Sequence, residues 1–228
     1  NTSGACKYAY LTEGRFDKIT RYGDSTSNYW WKIIDRDGVE YVYGDSDNTR
    51  LQSEDSLRNI AVWGLARTTD TYGNFIRYTY TDTLDTTYRA KQFRIDSIIY
   101  TNYGTERGAY VIKFVYDTIS GFAPLSARYG FLTSDISFLS KIRITYNNQF
   151  VKCYRFEYAD GVASRKVLKA IAEITDPIRE NDTIVYTNKI QRQGFYVHFF
   201  DYYNENSIEF QEATTLDISP TESINILG

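Results

Sequence analysis

Carboxylates are plentiful in this 228-residue chain, but histidine and cysteine are scarce, with one and two residues. The one histidine, His198, lies in Tyr196-Val197-His198-Phe199-Phe200, with Asp201 close by in sequence. A nucleophilic relay needs that imidazole between a serine and a carboxylate, and no Gly-x-Ser-x-Gly turn marks a serine for the role. Its aromatic, strand-like context reads instead as a packed or edge histidine. Asp35, Asp37, Asp70 and Asp117 stand at the ends of apolar runs, where a glycosidase carboxylate pair is one reading. Turn aspartates whose carboxylates bond the local backbone are the reading their positions favour. Asp45-Ser46-Asp47-Asn48 gathers oxygen ligands suited to a hard cation such as calcium. It lacks the glycine and distal glutamate of an EF-hand, so a polar hairpin loop is expected. Trp30, Tyr72 and Tyr103 are candidates for stacking on sugars, but aromatic pairs across strands stabilise sheets in their own right. Asn181-Asp182-Thr183 fits an N-glycosylation acceptor, a short pattern that arises often by chance. No catalytic residue, cofactor site or metal site is expected.

Cys6 and Cys153 are too few and too far apart for a zinc site or a CxxC redox pair. In an oxidising compartment the two could form a disulfide, restricting the unfolded chain by roughly 5 kcal/mol. The alternative is that Cys153, inside the alternating run Val151 to Tyr158, is a small buried or edge side chain.

The elements that must position these residues are strands. The chain has 22 Tyr and 13 Phe, no Met and three Pro, a composition suited to pleated, half-buried surfaces. A net charge of −3 gives no reason to expect a nucleic acid or an anionic membrane as partner. With no Met and no apolar signal segment behind Asn1-Thr2-Ser3-Gly4, the chain reads as a piece of a longer product.

Four hairpins are expected. Trp30–Asp35 pairs with Val39–Tyr43 across Asp37-Gly38, which supplies the positive φ that a tight turn needs. Val62–Thr69 pairs with Phe75–Tyr80 across Gly73-Asn74. Phe93–Tyr100 pairs with Ala109–Tyr116, so that Ile95, Ile98 and Ile99 face Val111, Phe114 and Val115 in an open register. Ser140–Tyr146 pairs with Phe150–Tyr158 across Asn147-Asn148. Gly44–Arg50 and Thr81–Thr87 read as polar links, and Ser53–Asn59 as room for one helical turn. Val167–Ile174 is a short apolar run stopped by Asp176-Pro177 and is taken as a strand. Further strands follow at Gly194–Tyr203 and Ser207–Gln211, and Thr214–Gly228 reads as a linker. The hairpins are not sequence copies of one another, so no strict solenoid or propeller is expected. The fold class is all-β: antiparallel hairpins forming a large, curved, irregular sheet, part of a shell or of a sandwich-like assembly.

In this order, the landmarks resemble the virulence-plasmid-B (SpvB) and insecticidal toxin-complex B-subunit family, in the later half of its N-terminal region. The residues that carry the resemblance are Gly14-Arg15-Phe16-Asp17-Lys18-Ile19, the Trp31–Gly44 hairpin, and Trp63-x-Leu65-Ala66-Arg67 with Asp70-x-x-Gly73-Asn74-x-Ile76-x-Tyr78-x-Tyr80. Ile95-x-x-Ile98-x-Tyr100-Thr101-Asn102, Gly130-Phe131, Leu139-Ser140-Lys141-Ile142 and Tyr154-x-Phe156-x-Tyr158 continue it, over roughly residues 13 to 176. Ser223-Ile224-Asn225-Ile226-Leu227-Gly228 is similar to the lead-in of an FG-GAP type propeller repeat. The resemblance implies a domain over 1–176, further strands of the same domain over 177–213, and a linker over 214–228. It also implies a non-catalytic segment of a large secreted or surface-exposed bacterial protein, building a shell with a propeller and Rhs/YD repeats of the same polypeptide or with companion toxin subunits. Nucleic-acid binding and direct membrane insertion are not expected. A surface module for carbohydrate or host protein is the alternative.

Overall fold

The computed structural model describes residues 4–55, 57–85, 89–118, 125–135, 137–161, 166–180, 195–200 and 202. Its strands are β1 (Cys6–Tyr8), β2 (Lys18–Tyr22), β3 (Trp30–Ile34), β4 (Glu40–Tyr43), β5 (Arg50–Gln52), β6 (Ile60–Trp63), β7 (Leu65–Thr69) and β8 (Asn74–Asp85). They continue as β9 (Ala90–Tyr103), β10 (Tyr110–Thr118), β11 (Leu125–Ser126), β12 (Thr133–Ser134), β13 (Ser137–Tyr146), β14 (Gln149–Asp160), β15 (Lys166–Ile174) and β16 (Phe195–Phe199). The fold is all-β. One large antiparallel sheet runs β1-β2-β3-β4-β7-β8-β9-β10-β13-β14-β15-β16 and stays open, with β11 and β12 against the flank of β9 and a separate β5–β6 pair.

Two of the expected turns use one device. In the β3–β4 turn the Asp35 amide donates to the Val39 carbonyl at 3.1 Å, and the Gly38 amide to the Asp35 carbonyl at 3.1 Å. Oδ1 of Asp35 accepts the amides of Asp37 and Val39 at 3.0 and 2.9 Å. The β7–β8 turn repeats this: Asp70 amide to Asn74 carbonyl at 2.9 Å, Gly73 amide to Asp70 carbonyl at 3.2 Å, and Asp70 Oδ1 accepting from Tyr72 and Asn74 at 2.9 Å each. Gly38 and Gly73 lie at φ 84° and 89°, where a side chain would be strained. At the β13–β14 turn Asn147 and Asn148 both take positive φ, 47° and 64°, as expected for adjacent asparagines. The β9–β10 connection is held by Asn102, whose Nδ2 donates to the carbonyls of Ile99 and Phe75 at 2.7 and 2.9 Å. Its Oδ1 accepts the Gly108 amide at 2.8 Å.

A second device recurs further along three hairpins. The last β7–β8 pair is Arg67 with Arg77, the last β9–β10 pair is Ser97 with Lys113, and the last β13–β14 pair is Lys141 with Arg155. Beyond each, the strands separate and backbone carbonyls lose their partners. Three residues on stands a tyrosine: Tyr80, Tyr116 and Tyr158 donate to the carbonyls of Leu65, Ile95 and Leu139 at 3.0, 3.0 and 2.9 Å. Each tyrosine directly follows a register shift against its other neighbour, between Thr79/Tyr80, Val115/Tyr116 and Glu157/Tyr158. The bulge bends the strand and the hydroxyl satisfies the carbonyl that the bend leaves behind. Burial raises the pKa of all three phenols above the usual tyrosine range. The sequence signature is Arg77-Tyr78-Thr79-Tyr80, Lys113-Phe114-Val115-Tyr116 and Arg155-Phe156-Glu157-Tyr158.

Among the described residues the core is thin for a sheet of this size. Cys153, Ala172 and Ile174 form a buried cluster with Phe150 and Val197 against it, and the other buried apolar residues, such as Val42, Ala66, Ala90 and Ile99, are scattered along the sheet. Stacked rings hold neighbouring strands together instead. Tyr22 lies on Trp30 with centroids 4.1 Å apart, Tyr80 on Phe93 at 4.7 Å and Tyr110 on Tyr100 at 4.9 Å, while Tyr146 meets Tyr110 at a tilt, 4.7 Å away.

Several expectations need correcting. The run Val62–Thr69 is broken at Gly64, so Val62 pairs with Leu51 of β5 and only Leu65–Thr69 joins the main sheet. Gly64 lies beneath two rings, and a Cβ there would meet Tyr80 at 2.8 Å and Phe93 at 3.0 Å. Its amide donates to Thr49 and its carbonyl accepts from Gly44. Thr81–Asp85, read as a link, continues β8 and pairs with Ala90–Arg94; Thr86 and Thr87 lie outside the described residues. Within Ser53–Asn59 the Arg58 amide donates to the Asp55 carbonyl at 3.2 Å, and Asp55 Oδ1 accepts from Leu57, Arg58 and Ser53 Oγ; Ser56 lies outside the described residues. Short 3₁₀ turns fall at Asp47–Thr49 and Pro177–Arg179. Ile98 and Ile99 pair with Ile112 and Val111, but β9 and β10 part before Ile95 can face Phe114. β16 pairs with β15, whereas Ser207–Gln211 and Thr214–Gly228 lie outside the described residues.

Cys6 and Cys153 are both free thiols. Cys6 is exposed on β1 and Cys153 is buried on β14, near opposite ends of the sheet order, so the proposed disulfide is not formed. Burial pushes the Cys153 thiol up to about 11. In the folded protein one maleimide adduct at Cys6 is therefore expected, with Cys153 labelled only after denaturation; two adducts on the native form would contradict this burial. Replacing Tyr80, Tyr116 or Tyr158 by Phe is expected to lower local opening free energy by about 1 kcal/mol each, nearly additively. Hydrogen exchange of the hairpin amides in the intact protein measures it.

Candidate functional site

The β5–β6 pair docks on the sheet through two side chains. Buried Arg50 donates Nε to the Gly44 carbonyl at 2.6 Å and an Nη to the Asn28 carbonyl at 3.2 Å. Trp63 donates Nε1 to the Tyr29 carbonyl at 2.6 Å. Where this flap meets the far ends of β8 and β9 a polar crevice of about 250 Å³ opens, lined by Asp47, Asn48, Gln52, Ser53, Glu54, Arg58, Asp82 and Lys91.

Lys91 is the hub of the crevice. Its side chain is 8% exposed, and Nζ donates to Glu54 at 2.5 Å and Asp82 at 2.8 Å. Burial pulls its pKa down, but the bonds to Asp82 and Glu54 outweigh that and hold it above the usual lysine value. The bond from Lys91 holds Glu54 below the usual carboxylate range. On the rim Asp47 pairs with Arg58 at 2.9 Å and Arg50 at 3.4 Å. The Gln52 side chain is buried, and its Oε1 has no hydrogen-bond partner; nor has the buried Oδ1 of Asp82.

The residues singled out in the sequence do not converge here. Asp35 and Asp70 are consumed by their turns, Asp35 also accepting the Tyr41 hydroxyl at 3.2 Å, and the Asn74 side chain helps hold the Asp70 carboxyl below its usual range. Asp37 is exposed beside Arg36, and Asp117 is exposed at the end of β10. The Asp45–Asn48 loop is closed on itself by a capping arrangement between Ser46 and Thr49, and no cluster of metal-ligating side chains occurs among the described residues. His198 lies opposite Ile171 with its side chain exposed; Asp201 and Asn181-Asp182-Thr183 lie outside the described residues. Trp30 is half-buried against Tyr22, whereas Tyr72 and Tyr103 are exposed, 83% and 57%, at one end of the sheet. Gln52, Asp82 and Lys91 were not singled out, because nothing in the sequence marks residues thirty and forty positions apart as neighbours.

A family model described as Salmonella virulence plasmid 65kDa B protein, SpvB, matches residues 5–117. No curated protein gives a significant match. Among solved structures, the N-terminal domain of effector protein SpvB from Salmonella typhimurium strain LT2 is similar at 14% identity and TM-score 0.63, covering 75% of this chain and 69% of that one. The crystal structure of TcdB2-TccC3-Cdc42 is similar at 15% identity and TM-score 0.64, covering 74% of this chain and 11% of that one. The Photorhabdus luminescens Tc holotoxin pore is similar at 15% identity and TM-score 0.62, covering 74% and 10%. The chain thus spans about a tenth of the Tc chains it resembles. At these identities the likeness is one of fold, and it extends past residue 117, where the family match ends.

Glu54 contributes stability above the ordinary glutamate pKa that is lost as pH falls through its depressed value. Lys91 contributes stability that is full below the ordinary lysine pKa and lost as pH rises through its elevated one. Amide protection around Ala90–Gln92 is therefore expected to plateau at neutral pH and fall on both sides. Lys91→Met, which leaves Asp82 without its cation, should cost about 3 kcal/mol locally; unchanged exchange would show that the pair is not structural.

Proposed function

Residues 5–117 belong to the SpvB family, and from that premise we propose that this chain is a non-catalytic structural segment of a large secreted bacterial toxin or Rhs-like protein, forming part of an encapsulating β-shell. The observation that carries the reading is a many-stranded open sheet that buries few apolar side chains among its described residues. Tyr8 on β1, Val151 on β14 and Tyr196 on β16 are 42%, 42% and 45% exposed, and β1 and β16 end the strand order among the described residues. A sheet normally covers its apolar faces with another layer and its edges with another strand or a device that blocks pairing. Other parts of the same polypeptide, a propeller and Rhs repeats, or companion toxin subunits would supply that cover. The likeness to chains in Tc assemblies supports this partnership.

The domain reading follows: residues 1–176 form the SpvB-like sheet, 177–213 add strands to it, and 214–228 lead toward a propeller. The reading assigns no active site to the chain: Asp35 and Asp70 are taken up by their turns, and His198 stands exposed on β16 opposite Ile171. It also places the protein outside the cell or on its surface. No helix among the described residues is long and apolar enough to cross a membrane, and the partners are taken to be protein rather than lipid or nucleic acid.

Electron cryomicroscopy of the intact protein tests the reading. The expected map shows this sheet as one panel of a closed wall, with its exposed aromatic residues covered by neighbouring strands. A panel bathed in solvent on both faces, at the end of a flexible tether, would favour a free-standing binding module instead.

A further inference from the structure

We propose that the face of the main sheet carrying Arg67, Arg77, Lys113 and Arg143 is the docking face for an acidic protein layer, an inference that rests on reading the sheet as one panel of a wall. Directly opposite residues on neighbouring strands share a face, and like charges set opposite each other repel. Such pairs recur here: Arg67 with Arg77, Lys113 with Arg143, and Lys141 with Arg155. The register carries them onto one face, from Arg77 through Ile99 to Val111, then to Lys113 two residues on, and from Arg143 to Lys141 by the same step. In a chain of net charge −3, that face is cationic.

The carboxylates beside these cations do not go round. Glu40 is shared by Lys32 and Arg67, and Glu180 by Lys141 and Arg143 at 3.2 and 3.3 Å. Asp96 takes Lys113, and Glu157 takes Arg155. Arg77 is exposed and has no acidic partner among the described residues; its guanidinium shares the Phe75 ring with that of Arg67. Glu180 shows how such a face is answered. It belongs to no strand of the sheet but follows the Pro177–Arg179 turn, and it reaches two cations of β13 from there. A segment outside the sheet thus brings a carboxylate to this face, and Arg67, Arg77 and Lys113 are left to a second segment of the same chemistry. The occupant is protein rather than a sulfated glycan because apolar side chains stand among the cations. Phe75, Val111 and Val115 lie on the same face, so a matching layer must bury apolar surface as well as pair charge. Arginine also meets a carboxylate with two parallel hydrogen bonds, which fixes the register of the layer it receives.

Carbodiimide, which joins an ammonium to a carboxylate in contact with it, tests this on the intact protein carrying Arg77→Lys, a change that keeps the charge and supplies a reactive amine. Peptide mapping is expected to find that amine, and Lys113, joined to aspartate or glutamate outside the strands of this sheet. Arg77→Glu should lower the Lys113 yield severalfold. If Arg77→Lys does not fold, Lys113 in the unaltered protein decides. Joints to Asp96 and Glu40 alone would overturn the proposal, and the electron cryomicroscopy map then separates two failures. A layer over this face with neutral side chains opposite Arg77 leaves the wall reading standing, whereas a sheet bare on both faces removes that reading as well. Retention on heparin that Arg77→Glu abolishes, without any joint beyond the sheet, would overturn the proposal in favour of a sulfated glycan.

Discussion

When two strands of a bent sheet stop pairing, the carbonyls just past the last pair still need donors. In this protein that need is met by tyrosine. Tyr80, Tyr116 and Tyr158 each stand three residues beyond a last pair, each directly after a bulge, and each gives its hydroxyl to the carbonyl two residues past the pair on the opposite strand. The bulge and the phenol belong together: without the bend the carbonyl would keep its partner, and without the hydroxyl the bend would strand a half-buried polar group. The three bends are set at these bulges, and the phenols together with the cross-strand ring pairs hold neighbouring strands in place, while the faces of the sheet are left for another layer to cover.

Much of this was legible in the residues. The hairpins at Asp37-Gly38, Gly73-Asn74 and Asn147-Asn148 formed because turn chemistry is local, and glycine or asparagine declares a positive φ without help from the rest of the chain. What local chemistry cannot show is where a strand changes partners. Gly64 looked like one weak position in a continuous run, yet the rings of Tyr80 and Phe93 above it decide that the chain must turn there. Thr81–Asp85 looked like a link because its residues are polar, but a long opposing strand with Lys91 facing that stretch makes threonine and aspartate good strand residues. The crevice was invisible for the same reason, since Gln52, Asp82 and Lys91 become neighbours only after the flap has docked.

The family resemblance was carried by the order of landmarks rather than by identity, and its residues can now be given physical roles. Asp70, Gly73 and Asn74 make the turn, Tyr80 closes the bend, and Asn102 ties the Ile99 and Phe75 carbonyls to the Gly108 amide. These are turn and bend residues, which set the course of the chain rather than the lining of the crevice.

The fixed spacing between last pair, bulge and tyrosine has a bearing on how such a chain can change over time. A single-residue insertion inside any one hairpin would shift its tyrosine off its carbonyl and turn alternate side chains to the wrong face. A complete hairpin brings its own turn residue and closing phenol, while its bulge is made against the next strand along the sheet. Length in this architecture therefore changes by whole pleats, each of which must find a neighbour that accepts its bulge.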